Sequence, residues 1–235
     1  SSAKSSAVMV AMFACIAGSN LLQSNVTGLV TIPSTIVCFL FISFFATRLG
    51  QRKAMLIGSV GGLITNGILA ALWLFGDPTT MTSNPETGAL NWGYFLIIYL
   101  VFTIITAGFQ GISGNIVIPM TADCADYEVY RTGKYVPGLM GTLFSFVDKL
   151  ISSLAATLVA LFYSVAGFKD ALPDTMTPYS DGIFWATIGC FVLLPIVGWL
   201  CNVVAMHFYP LTKEKMAEIQ DEVAQIKMKT MAENA

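Results

Sequence analysis

Two groups of charged residues stand out because the chain around them is so apolar. The first comprises Asp123, Asp126, Glu128, Arg131 and Lys134, in a polar stretch between two long hydrophobic runs. The second, Asp148 and Lys149, falls well inside the later of those runs. A charged side chain at mid-membrane depth costs about 2.5–3.5 kcal/mol on insertion scales, so it generally faces a cavity or a partner. The chemistry open to such groups is non-covalent. A lysine donates hydrogen bonds to ligand oxygens or pairs with a carboxylate, and acidic groups gate or brace. No cluster of nucleophile, base and oxyanion donors accompanies them, so an enzyme is not expected. Cys15, Cys38, Cys124, Cys190 and Cys201 form no CxxC pair and no metal-ligand spacing. No metal site, disulfide framework or resident cofactor is expected from them.

The elements that must carry these residues are membrane helices. Of 235 residues, 55% are hydrophobic and 11% charged, against about 25% charged in soluble domains. Mean hydropathy is +0.72, and a net charge of −2 gives no footing for a nucleic-acid partner. The expected fold is all-α, a polytopic bundle. A helix needs about 20 apolar residues to cross the hydrocarbon core. Runs at 26–47, 54–75, 92–119, 137–166 and 182–208 qualify, and 6–23 is a marginal sixth. The first charge group is expected in a short loop between the third and fourth clear runs, 92–119 and 137–166. Gly58 and Gly62, four apart, allow close helix approach.

Residues 1–210 thus read as a transmembrane unit and 211–235 as an amphipathic tail. Met216, Ile219, Val223 and Ile226 recur at helical spacing, with Thr212 as N-cap. Basic residues fall in alternate connections: Arg48, Arg52 and Lys53, then Arg131 and Lys134, then the tail lysines. That places those loops and the C-terminus in the cytoplasm of a cell-membrane protein. The chain opens on Ser1, and SSAKSS does not lead into a signal peptide. It reads as a fragment or a processed form.

Lys149 lies 12 residues past Pro137, or roughly 18 Å along a helix. That depth favours a cavity-facing cation over a lysine reaching back to the interface, with a structural ion pair as the other reading. Asp148 points about 100° away on the same helix, which suits a pair with another helix. Gln110, Asn115, Ser145 and Asn66 are polar groups at helical depth, suited either to ligand hydroxyls or to helix–helix hydrogen bonds. His207, beside Phe208 and Tyr209, reads as interfacial.

The stretch ADCADYEVYRTGK resembles the glycoside–pentoside–hexuronide:cation symporters of the major facilitator superfamily. The matching positions are Asp123, Asp126, Tyr127, Thr132, Gly133 and Lys134, and the loop Arg48–Lys53 is similar to another of the family's connections. The resemblance implies the C-terminal six-helix half of a twelve-helix carrier. It implies symport of a glycoside or related sugar with sodium, lithium or a proton. Lys149 would stand beside the sugar and cation sites, with Ser145, Asn115 and Gln110 as further sugar contacts. Asp123, Asp126, Arg131, Lys134 and Asp148 would form a gate or charge network. The main coupling-cation site would lie in the missing N-terminal half, which joins the sugar and the bilayer as an expected partner. The alternative is a non-transporting receptor or scaffold whose tail binds a cytoplasmic partner. A scaffold has no need of mid-membrane charges, and a channel is weakened by the lack of a repeated filter motif.

Overall fold

The computed structural model describes residues 7–19, 22–84, 89–133, 137–169 and 171–233. Among them the fold is helical. The elements are α1 (Ala7–Ile16), α2 (Leu22–Leu49), α3 (Gln51–Phe75), α4 (Tyr94–Thr132), α5 (Pro137–Val165), α6 (Asp181–Phe208) and α7 (Lys213–Glu233). Five of them, α2 to α6, are long and apolar enough to cross a membrane. The marginal first run forms only the short α1, which ends in a π-helical turn.

Helix boundaries follow local chemistry. A single residue, Gly50, separates α2 from α3 at φ +80°. An added Cβ there would also meet the Lys213 side chain at 2.9 Å, so glycine is required twice over. In α4 the proline, Pro119, does not end the helix, as membrane helices commonly tolerate one. Pro195 in α6 has no N–H to return to the preceding turn. The helix is π-helical just before it, over Gly189–Leu193.

The bundle is built around α4, which packs against both α2 and α3. Small residues make the contact. Val37 and Phe41 of α2 lie over Gly108, and Cys38 lies over Gly111. On the other side, Ile112 and Ser113 meet Gly58, and the Phe109 ring fills the space above Gly61. Gly62 of α3 receives the Trp199 ring of α6 instead. The pair Gly58 and Gly62 thus seats α3 against two different helices. At the other end of α3, Trp73 meets Phe95 edge-on at 5.6 Å and Tyr99 at 6.0 Å, and Phe13 of α1 closes on Tyr99 at 5.9 Å. One buried polar pair ties two helices, Tyr163 of α5 to Thr187 of α6 at 2.9 Å.

The fifth helix stands apart. From Gly138 to Ala155 no described side chain of α5 is buried, and only Met140 is even partly covered. It joins the core through its last turns, where Val159, Phe162 and Tyr163 pack with α6 and α1. Replacing Gly61 by Val drives a branched side chain into the Phe109 ring. We expect a loss of about 1–3 kcal/mol, read as a lower thermal midpoint in detergent. Gly67, with nothing within 4 Å of an added Cβ, serves as the control, since Gly67→Ala is expected to be neutral or mildly stabilising.

Candidate functional site

The expected loop after residue 119 is not a loop. The helix α4 runs on through Asp123, Asp126, Glu128 and Arg131 to Thr132, 39 residues in all. At 1.5 Å per residue that is about 58 Å, well beyond the roughly 30 Å hydrocarbon core. The charges signal departure from the membrane rather than loss of helix. Ala122, Ala125 and Glu128 are good helix formers, and Arg131 pairs with Glu128 one turn earlier at 3.7 Å. Gly133 then stops the helix at φ +71°, its N–H returning to Val129 at 2.8 Å.

This extension carries the first charge group at three levels of burial. Asp123 is buried, Asp126 is half-buried and Arg131 is exposed. Asp123 has no hydrogen bond or ion pair among the described residues, and Lys134 lies outside them. Beside Asp123, Tyr209 packs in from the end of α6. Burial pushes its phenol above the ordinary range, and the neighbouring Cys124 and Asp123 push the same way.

Sequence reasoning missed how this end is tied together. Leu211, Met216, Ile219 and Val223 bury themselves with Val129, against Tyr127 and Tyr130 of the α4 extension. The tail helix α7 is therefore a cover for α4, and three of the four predicted face residues make it; the side chain of Ile226 lies outside the description. The basic residues read as orientation signals also work locally. Arg52 donates to the carbonyls of Met206 at 3.1 Å and His207 at 3.3 Å, at the end of α6. Lys213 donates to the Arg48 carbonyl at 3.4 Å, at the end of α2. Helix ends leave carbonyls without partners, and cations placed there satisfy both the bonds and the dipole.

The mid-membrane residues occupy open faces. On α4, Gln110, Gly114, Asn115 and Ile118 are exposed and border Gly111, which packs on α2. Asn115 folds back to the Gly111 carbonyl at 2.8 Å, which leaves its amide oxygen for another donor. On α5, Ser145, Asp148 and Lys149 are exposed, with Ser145 one turn before Lys149 on the same side. No hydrogen bond joins the α4 group to the α5 group among the described residues, and Asp148 makes no ion pair among them. Asn66 differs from the rest. It is buried, donates to the Val192 carbonyl in the π turn at 3.3 Å, and braces α3 on α6. The chain thus displays a polar strip without enclosing it. What the strip can do is hydrogen-bond a polyhydroxylated ligand, given a facing wall.

Comparison with known proteins bears on that wall. The model of the MFS/sugar transport protein family matches residues 7–213. The chain is 25% identical over 209 residues to the glucuronide carrier protein homolog of Escherichia coli strain K12. That alignment takes in 85% of this chain and 40% of the relative, so the chain spans well under half of the relative's length. No solved structure matches.

Because α7 shields the apolar side of the α4 extension, Ile219→Glu is expected to detach it. Hydrogen exchange should rise across α7 and in the last three turns of α4, while α3 stays protected. Arg52→Gln is expected to cost about 1 kcal/mol through the uncapped end of α6, measured as a lower unfolding midpoint.

Proposed function

The chain belongs to the MFS/sugar transport protein family, and from that membership we propose the activity of the whole protein. It carries a sugar or glycoside across the membrane by alternating access, driven by symport of sodium, lithium or a proton. This chain supplies one six-helix wall of the central cavity, the C-terminal one. The family is one of transport proteins, not enzymes, so the site binds and releases its substrate without covalent chemistry.

The observation that carries this reading is Lys149. It sits near the middle of a helix that is long and apolar enough to cross a membrane, and no part of the described chain covers it. A cation is sustainable there if it faces a wet cavity or an opposing carboxylate. In this proposal Lys149 and Ser145 present donors to sugar hydroxyls from α5, and Asn115 and Gln110 do so from α4. The main coupling-ion ligands come from the opposite half. Asp148 pairs with that half, and Asp123, Asp126, Arg131 and Lys134 form the cytoplasmic gate as the two halves rock about the midplane site. The ion drives transport through its unequal affinity for the two conformations. The same reading sets the basic loops and α7 in the cytoplasm.

In the full-length protein, Lys149→Ala is expected to lower sugar uptake by at least about tenfold, the loss of one charge-assisted hydrogen bond. Lys149→Arg, which keeps the charge, should retain part of it. Membrane abundance of both variants should match the parent. Undiminished uptake by Lys149→Ala would remove Lys149 from the site.

A further inference from the structure

We propose that α2 supplies a further face of the sugar site, with Thr31 and Thr35 accepting hydrogen bonds from sugar hydroxyls. This rests on the carrier function proposed for the whole protein and extends its site to a third helix.

The helices α2 and α4 run parallel. Val26 shares a core with Phe95 and Tyr99 near the start of α4, and Phe45 shares another with Ile116 and Met120 further along. Between these levels Cys38 lies over Gly111. At about 100° per residue, Thr31 and Thr35 stand roughly 20° and 60° to one side of Cys38. On α4, Gly114 and Gln110 stand roughly 60° and 100° from Gly111 in the opposite sense. Opposite senses on parallel helices turn to the same side of the seam. Along the axis, Thr35 is about 3 Å and Thr31 about 9 Å from the level of Gln110. The threonines of α2 therefore extend the polar strip of α4.

The other exposed residues of α2 keep apart from them. Ile32, Ile36, Phe39 and Leu40 are all exposed, and they fill an arc between about 100° and 200° from Cys38. That arc suits lipid. Thr31 and Thr35 are exposed as well, but on the arc next to the seam. A threonine bonded to its own helix can face lipid at little cost, so hydroxyls alone do not assign that arc. Sharing a side with Gln110 and Gly114 does.

The chemistry is that of an acceptor edge. Thr31 donates to the Thr27 carbonyl at 2.6 Å and Thr35 to the Thr31 carbonyl at 2.8 Å. Each proton is committed within the helix, which leaves the hydroxyl oxygen free to accept. Lys149, by contrast, only donates. A sugar hydroxyl does both, so a hydroxylated ring can donate to α2 and accept from Lys149. A carboxylate or phosphate, which only accepts, gains nothing from α2.

The test is thiol labelling of single-cysteine variants of the full-length protein, native cysteines replaced, with a membrane-impermeant methanethiosulfonate. Thr35→Cys should label at least about tenfold faster than Ile36→Cys, whose thiol would lie in hydrocarbon, and Lys149→Cys serves as the reference. Labelling of Lys149→Cys without Thr35→Cys would overturn this proposal and leave the carrier reading standing. Labelling of neither would remove both. Uptake of radiolabelled methyl glycosides gives the second readout. Thr35→Val, which loses the acceptor and keeps the shape, should raise the half-saturation concentration about fivefold. Maximal rate and membrane abundance should stay near the parent's, and Thr35→Ser should behave as the parent. Unchanged half-saturation in both Thr31→Val and Thr35→Val would overturn the accepting role.

Discussion

Van der Waals contact across glycines holds this bundle together. Inside a bilayer the surrounding tails are as apolar as leucine, so helices gain little from hiding apolar surface from them. What favours association is closeness, and α4 obtains it on two sides at once, through Gly108 and Gly111 towards α2 and through Gly58 and Gly61 of α3. Everything else is placed by that axis. The strip bearing Gln110 and Asn115 is the part of α4 left over once its small residues have been spent on neighbours. The polar strip borders the packing residues of the same helix, as the bond from Asn115 to the Gly111 carbonyl shows.

The second constraint is the helix end. Several helices stop at the side of the molecule where the basic residues gather, and each leaves carbonyls to be satisfied. Arg52 and Lys213 do this for α6 and α2. The α4 extension has a different need, because Val129, Tyr127 and Tyr130 stand beyond the hydrocarbon, and α7 covers them. The charges around Asp123 are consequently carried on a braced post.

The fold class was legible in the sequence because apolar runs of membrane length have few other uses. The mid-membrane lysine was legible for the same reason, since its cost demands a purpose. The end of α4 is not legible from charge, since Ala122, Ala125 and Glu128 continue the helix through the charged stretch and Gly133 stops it. Asn66 and Asn115 look alike in sequence. Position on the helix separates them: one faces α6 and finds the Val192 carbonyl, the other faces outward. The capping work of Arg52 and Lys213 joins residues more than 150 apart in sequence, which no local pattern shows. The exposure of α5 was equally hidden, since it depends on what does not pack against that helix.

Thiol labelling of Lys149→Cys in the full-length protein, with the native cysteines replaced, asks most directly whether this helix lines a substrate cavity. A membrane-impermeant reagent should modify the introduced cysteine, and the transported sugar should slow that modification. Labelling by lipid-soluble reagents alone, unaffected by any sugar the protein carries, would place position 149 against the bilayer and contradict the carrier reading of this site.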